Sequence, residues 1–148
     1  MDIKWLCKTF NELSPQELYF ILQLRSEVFV VEQNCVYQDM DDNDQRSYHF
    51  MGYMDNKLVA FTRLMPPGLS YTEMSIGRVV TSPSARGKKI GRLLMQESIK
   101  KIHELFGQSP IKIGAQLYLK SFYQSLGFTK CSEVYLEDGI EHIKMIRL

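Results

Sequence analysis

The sequence lacks any apolar run near the roughly 18 residues that a membrane-spanning helix requires. Its first ten residues, M-D-I-K-W-L-C-K-T-F, carry charges at positions 2, 4 and 8 in place of the apolar centre of a secretory signal. We therefore expect no membrane partner and no export signal.

Cysteine is also scarce. The three thiols, Cys7, Cys35 and Cys131, are odd in number and widely spaced, a pattern that matches neither a disulfide framework nor a zinc site. The prediction is a cytoplasmic protein without a metal centre. No orienting pattern surrounds Cys35, which argues against a thiol nucleophile.

An excess of charge of one sign is missing as well. The chain has 18 Lys and Arg residues against 17 Asp and Glu residues, a net charge of +1. We expect no nucleic-acid partner, because such proteins usually carry a basic excess. What is present is an ordinary globular composition, with 45% hydrophobic and 24% charged residues over 148 positions. These values predict one soluble domain, residues 1–148, with a single hydrophobic core.

Hydrophobic periodicity and turn residues predict a mixed α/β domain. Ser14, Pro15 and Glu17 supply the cap, the first-turn proline and the capping-box acid of a helix. Asp55 and Asn56 predict a tight hairpin turn. The predicted strands are 3–10, 48–54, 57–65, 73–81, 111–116, 128–136 and 140–148, and the predicted later helices are 90–106 and 117–126. This order predicts a mixed sheet with helices covering it.

Four basic residues cluster where the helix at 90–106 begins: Arg86, Lys88, Lys89 and Arg92. The amino terminus of a helix carries partial positive charge, so each cation there costs about 0.3–1 kcal/mol unless an anion binds. Gly87 and Gly91 would let the backbone approach such an anion closely. The cluster favours an anion site, and a solvated basic turn is the other interpretation.

The spacing of this cluster excludes two common nucleotide motifs. A P-loop requires Ser or Thr after Gly-Lys, but Gly87-Lys88 is followed by Lys89, and Ser82 stands where its first glycine belongs. A dinucleotide fingerprint requires three glycines as G-x-G-x-x-G, and only Gly87 and Gly91 are present. Neither a nucleoside triphosphate nor a dinucleotide is expected.

The hexad R-G-K-K-I-G at 86–91 resembles the acetyl-coenzyme-A (acetyl-CoA) signature of the GCN5-related N-acetyltransferase (GNAT) superfamily, Q/R-x-x-G-x-G/A. Arg86 and Gly91 match its first and last fixed positions, and Lys89 stands at the usual middle glycine. F-Y-Q-S-L-G-F at 122–128 is similar to a second part of the family pattern. Further segments resemble the ElaA-like subgroup of the superfamily: R-S-E-V-F-V-V-E-Q at 25–33, Y-Q-D-M-D-D-N-D at 37–44, G-R-V at 77–79, A-Q at 115–116 and Y-L-E-D-G-I-E-H at 135–142.

The resemblance implies a GNAT-like fold, with a mixed, mostly antiparallel central sheet of about six to seven strands flanked by helices. It implies direct transfer of an acetyl group from acetyl-CoA to a primary amine of a small molecule or peptide, without a covalent enzyme intermediate. By the resemblance, the coenzyme-binding residues are Val79, Val80, Thr81, Arg86, Gly87, Lys88, Lys89, Gly91, Arg92 and Gln116. The alternative function is a non-catalytic acetyl-CoA-binding sensor with the same fold. The sequence leaves the oligomeric state open, with a homodimer as one option.

The catalytic candidates follow from the same resemblance. Tyr123 matches the tyrosine that protonates the leaving thiolate, a role that suits a phenol with a pKa near ~10. A core aromatic is the other interpretation of Tyr123. Glu73 and His49 are the candidates for the general base that a protonated amine needs, against the alternatives of an exposed acid and a structural histidine. His142 lies in the Y-L-E-D-G-I-E-H stretch, which fits either a structural hairpin or a wall of the active site.

The acidic run Asp39, Asp41, Asp42 and Asp44 has the composition of a calcium loop but not its spacing. Counted from Asp39, position six is Asp44 instead of Gly, and position twelve is Phe50 instead of Glu. The run is expected to be either a solvated loop or an acidic rim that attracts a cationic amine acceptor.

Overall fold

The computed structural model describes residues 2–148 and shows two sheets that meet at one end. The strands are β1 (Lys4–Thr9), β2 (Tyr48–Met54), β3 (Lys57–Met65), β4 (Ser75–Thr81), β5 (Ile111–Gln116), β6 (Thr129–Lys130), β7 (Tyr135–Glu137) and β8 (Ile140–Arg147). The helices are α1 (Pro15–Arg25), α2 (Ile90–Phe106) and α3 (Lys120–Gln124), and a π-helical segment (Ser26–Glu32) continues α1. The first sheet has the antiparallel order β1-β2-β3-β4, and the second is built on β8, which pairs with β5, β6 and β7.

Helix α1 begins as the sequence predicts. The Glu17 N–H donates to the Ser14 hydroxyl at 3.1 Å, and the Ser14 N–H donates to the Glu17 carboxylate at 2.8 Å. The same carboxylate pairs with Lys8 of β1 at 2.9 Å. These contacts satisfy N–H groups that a helix start leaves free, and they tie α1 to the edge of the first sheet.

The first sheet lies between α1 and α2. Successive residues of a strand point to opposite faces, so the neighbours Phe50 and Met51 enter different hydrophobic clusters. Met51 packs in the cluster of Ile21 from α1, and Phe50 packs in the cluster of Leu94 and Ile102 from α2. Strand β4 contributes to both clusters and is therefore held from both faces.

The two sheets join through one pair of residues. Met74, just before β4, pairs in parallel with Ile111 at the start of β5, and the Lys112 N–H donates to the Met74 carbonyl at 3.0 Å. Within residues 2–148, no further ladder pair between β4 and β5 follows this bridge. The two strands are therefore not paired with each other toward their carboxyl ends, at Thr81 and Gln116, although each is paired on its other side with β3 or β8.

The predicted strand 128–136 is wrong as a single element. Lys130 and Tyr135 are five positions apart, yet their partners on β8 are only three apart. Between these pairs the Lys144 N–H donates to the Ser132 hydroxyl at 2.9 Å instead of to a backbone carbonyl. The surplus residues interrupt the ladder and divide the element into β6 and β7, so the seven predicted strands become eight.

Two other predicted boundaries also differ. Residues 117–126 do not form one helix, because a 3₁₀ turn at Leu117–Leu119 precedes the short α3. Strand β4 begins at Ser75 rather than at residue 73. No helix in the described part of the chain is long and apolar enough to cross a membrane.

Candidate active site

A cleft opens where β4 and β5 separate. Its cavity of about 470 Å³ is lined by Val79 from β4, Gln116 from β5 and Tyr123 from α3. The Gln116 amide donates to the side chain of Gln33, just after the π-helical segment, at 3.3 Å. The fold thus brings together residues to which the sequence assigns coenzyme binding and catalysis.

Strand β4 carries a β-bulge at the edge of this cleft. Its pairing with β3 shifts between Gly77 and Val80, so that two residues of β4 face one residue of β3. One of the two, Arg78, has a φ of +50°, in the left-handed region that non-glycine residues seldom adopt. A bulge leaves residues out of the ladder, and Val79 occupies such a position against the cavity. Val80 is buried on the α1 side, pairs with Phe61 of β3 and lines neither cavity.

A second cavity, of about 410 Å³, lies where α2 begins. The Leu93 N–H donates to the Lys89 carbonyl at 3.2 Å and begins the series of hydrogen bonds along α2. The N–H groups of the residues just before Leu93 lie ahead of this series, as at any helix start. A Cβ atom added at Gly87 or Gly91 would meet nothing within 4 Å, which leaves the backbone open to a ligand. Such a helix start suits a phosphate group. The predicted coenzyme residues that line this cavity are Thr81, Arg86, Gly87, Lys89, Gly91 and Arg92, and Lys88 is exposed beside them.

Tyr123 is only 5% exposed, yet it lines the cleft. Its ring packs edge-on against Phe122 and Phe128, at centroid distances of 5.2 and 6.0 Å. Burial, with a smaller effect from Tyr118, raises the pKa of Tyr123 to about 12. Tyr123 is therefore both a packed aromatic and a protonated phenol against the cleft.

Comparison with known proteins identifies this arrangement. A family profile described as Acetyltransferase (GNAT) domain matches residues 10–148. The chain belongs to the GNAT acetyltransferase family. Protein ElaA from Escherichia coli (strain K12) is 43% identical to it over 147 residues, which cover 98% of this chain and 96% of ElaA. The resemblance to the ElaA-like GNAT proteins is confirmed, and acyl transfer is the chemistry of the family.

Solved structures agree with this assignment. The crystal structure of an acyl-CoA N-acyltransferase from Pseudomonas aeruginosa is 42% identical with a TM-score of 0.95, covering 99% of this chain and 100% of that one. Crystalline E. coli ElaA is 42% identical with a TM-score of 0.92 and the same coverage. A GNAT acetyltransferase from Elizabethkingia anophelis with acetyl-CoA bound shares the fold, at 16% identity and a TM-score of 0.65, covering 98% of this chain and 97% of that one. The predicted α/β GNAT fold is confirmed.

In this GNAT protein the acidic run is largely bound to arginines. We call the group the arginine–aspartate network; it consists of Arg25, Arg63, Arg78, Asp39, Asp41 and Asp44. Arg25 is 0% exposed, and it donates to Asp39 at 2.7 Å and to Asp44 at 2.8 Å. The run is thus neither a solvated loop nor a free acidic rim, because three of its four carboxylates have cationic partners. Asp42 alone of the four is an exposed acid outside the network.

The network also fixes the bulge of β4. The Arg78 Nε donates to the Asp39 carboxylate and a terminal nitrogen donates to the Asp39 backbone carbonyl, each at 2.7 Å. Burial would raise the pKa of Asp44, but hydrogen bonds and charge from Arg25 and Arg63 outweigh it and hold that pKa below its usual range. The Asp44 carboxylate therefore stays ionised, and the ion pairs of Asp39, Asp41 and Asp44 anchor the 39–44 segment beside the cleft.

The two predicted general bases, His49 and Glu73, line neither cavity. His49 is fully buried on β2, where its Nε2 donates to the Asp44 carbonyl at 2.8 Å. Burial lowers the pKa of His49, and its Nδ1 has no hydrogen-bond partner. Glu73 adjoins Met74, at the closed end of the cleft. The structure does not bring either residue together with Tyr123.

Two cations of the predicted anion site already have protein partners. Arg86 forms a two-pronged ion pair with Glu32 of the π-helical segment at 2.6 Å, with both side chains about two-fifths exposed. Arg92 donates to the Ser125 hydroxyl and lies over the ring of Phe122. A bound phosphate would compete with Glu32 for Arg86. The spacing of the sequence motif did not predict this ion pair.

The remaining wall of the cleft is the β7–β8 hairpin. Asp138 and Gly139 form its turn, with φ values of +50° and +78°. Glu137, Asp138 and His142 line the cavity that Tyr123 also lines. The Asp-Gly pair is a hairpin signal that could have predicted this turn, in which Glu137 pairs with Ile140 and Tyr135 with His142. Within residues 2–148, no group of three or more His, Cys, Asp or Glu side chains is arranged to hold a metal ion.

Proposed function

We propose that the protein is an acetyl-CoA-dependent N-acetyltransferase that moves an acetyl group directly to a primary amine of a small molecule or peptide. The observation that carries the proposal is the gap between β4 and β5, where a cavity lined by Tyr123 opens. The cavity at the start of α2, which Thr81 and Gly87 line, lies beyond the end of β4. The relatives named above support the same chemistry.

The residues present suit acetyl-CoA as the donor substrate. The N–H groups from Gly87 to Gly91 at the start of α2 would hold its pyrophosphate, with Lys88 and Lys89 adding positive charge. The backbone of Val79, Val80 and Thr81 would bind the pantetheine arm. A free N–H at the bulge would stabilise the oxyanion of the tetrahedral intermediate, an interaction worth about 3 kcal/mol in enzymes that use it.

Tyr123 would supply the proton that the leaving group needs. As the nitrogen–carbon bond forms and the carbon–sulfur bond breaks, the thiolate takes the phenol proton. The nitrogen loses a proton when the amide forms, and the phenolate recovers one from solvent, so the protons balance. With a pKa of about 12 the Tyr123 phenol is protonated at neutral pH, so it has a proton to give when the thiolate departs.

Tyr123→Phe tests this role. A donor that acts only as the carbon–sulfur bond breaks stabilises the transition state and not the bound substrate. We therefore expect kcat to fall ~10²-fold or more, with the dissociation constant of acetyl-CoA nearly unchanged by calorimetry. Phe128→Leu is the control for packing, because Phe128 contacts the same ring and lines neither cavity. Wild-type turnover in Tyr123→Phe would leave Tyr123 as a packing residue only.

A non-catalytic acetyl-CoA sensor is the second candidate function. The Arg86–Glu32 ion pair favours it, since a cation already bound to an acid contributes less to a permanent phosphate site. Coenzyme binding without release of free coenzyme A, for any amine offered, would establish the sensor.

A further inference from the structure

The β7–β8 hairpin brings acidic side chains to the cleft that no arginine neutralises. Glu137 and Asp138 line the cavity, whereas its other charged pair, Asp41 and Arg78, is bound within the arginine–aspartate network. In the described part of the chain, the single ion-pair contact of Glu137 is with His142 at 3.6 Å, and Asp138 has none. The free negative charge of the cleft therefore comes from the hairpin turn and not from residues 39–44.

His142 presents one basic nitrogen to this cleft. Its Nδ1 lies 2.8 Å from the Ile140 carbonyl oxygen, which can only accept, so Nδ1 carries the hydrogen. In the neutral ring, Nε2 is then the nitrogen with the available lone pair. The residue is 7% exposed and lines the cavity, and within residues 2–148 its Nε2 makes no hydrogen bond.

The imidazole is fixed by its neighbours. It stacks on the ring of Tyr135, with centroids 5.8 Å apart, and its partner on β5 is Gln116. Lys144, the nearest cation along the same face of β8, places its ammonium over the rings of Tyr71 and Tyr135 at 5.7 and 5.6 Å. A positioned base and two carboxylates therefore share the cavity with Tyr123.

We propose that this hairpin is the acceptor subsite, in which Glu137 and Asp138 bind a cationic primary amine and Nε2 of His142 takes its proton. The inference rests on the proposed function and names its missing base. An alkylamine of pKa ~10.4 arrives as an ammonium, so a proton must leave before the nitrogen can attack. That proton passes to Nε2, Glu137 stabilises the imidazolium, and solvent removes the proton. The freed lone pair then forms the nitrogen–carbon bond.

Binding can be measured without the reaction. The protein, alone and with coenzyme A, is titrated with 1,4-diaminobutane while the ring signals of His142 are followed by NMR, assigned by their loss in His142→Gln. We expect these signals to shift. We expect Glu137→Gln/Asp138→Asn to raise the dissociation constant of 1,4-diaminobutane at least tenfold. Asparagine tolerates the left-handed backbone of residue 138, so the turn is kept.

Glu141→Gln is the matched control, because Glu141 is an exposed acid of β8 outside the cavity. Ring signals that do not respond to the diamine would overturn the subsite. Equal binding by the double and control variants would do the same, as would tighter binding of 4-aminobutanoate, whose far end is negative.

Chemical rescue by imidazole distinguishes a catalytic His142 from a histidine with a purely structural role. We expect His142→Ala to lower the acetylation rate of 1,4-diaminobutane ~10²-fold or more, and added imidazole to restore part of it above the protein-free reaction. A wild-type rate in His142→Ala, or no restoration by imidazole, would refute the base. If the wild type acetylates no amine while the diamine still shifts the His142 signals, the proposed function fails and the subsite stands.

Discussion

Lys89 adopts the backbone conformation that glycine prefers, with φ +59° and ψ +25°. A left-handed conformation costs a residue with a Cβ atom roughly 1–2 kcal/mol. Glycine, which the family pattern has at this position, would adopt the same conformation without that cost. Lys89 lines the α2 cavity, where its ammonium would add positive charge beside the pyrophosphate that we propose to bind there.

Lys89→Gly should raise the free energy of unfolding by about 0.5–1 kcal/mol. The substitution removes the left-handed strain from the folded chain. Glycine also gives the unfolded chain more conformational freedom, which cancels only part of this stabilisation. Urea unfolding measures this change. Lys88→Gly is the matched control, since Lys88 is exposed and its φ is not positive; it should lower stability. Equal effects of the two substitutions would show that the strain at Lys89 is negligible.

The arginine–aspartate network joins α1, β3 and β4 to the 39–44 segment. Arg25 lies on the buried side of α1 at 0% exposure and Arg63 on β3 at 2%. Breaking a buried ion pair from one side leaves an uncompensated charge, which costs about 3–5 kcal/mol. The bulge of β4 depends on the same contacts through Arg78.

Asp44→Asn should therefore lower the free energy of unfolding by about 3–5 kcal/mol at neutral pH, measured by urea denaturation. Asp42→Asn, at an exposed acid outside the network, should change it by less than about 0.5 kcal/mol. The folded pKa of Asp44 is depressed, so its contribution is present above the unfolded value near ~3.9 and is lost as pH falls through the lower folded value. Below about pH 4 the wild type should lose stability more steeply than Asp44→Asn. Parallel curves for the two proteins would contradict this account of the network.

Local sequence patterns predicted the helices and strands whose limits depend on local interactions. The capping box of Ser14 and the Asp55-Asn56 turn fix α1 and the β2–β3 hairpin, and both are observed as predicted. The strand at 128–136 was predicted wrongly because its interruption depends on the Ser132 hydroxyl, which meets a strand distant in sequence. The charge of a side chain does not identify the residue with which it pairs. The ion pair of Arg25 with Asp44 therefore could not be predicted from their spacing in the sequence.

Some parts of the candidate site depend on local sequence, and others depend on contacts between residues distant in sequence. The motif at Arg86–Gly91 located the α2 cavity, since helix starts and glycines act locally. The position of the acceptor subsite in the cleft depends on the pairing of His142 with Gln116 between β8 and β5. These strands are separate segments of the sequence, so the pairing could not be predicted from either one. The Arg86–Glu32 ion pair joins residues far apart in sequence for the same reason.

Direct acetyl transfer at the gap between β4 and β5 can be tested by following the donor, the acceptor and the protein in one reaction. Wild-type protein is mixed with acetyl-CoA and a panel of primary amines, and released thiol, acetylated amine and protein mass are recorded together. We predict one free coenzyme A for each acetylated amine, a preference for cationic amines, and an unchanged protein mass. Thiol release no faster than without amine for every member of the panel, or an acetyl group carried covalently by the protein during turnover, would contradict the claim.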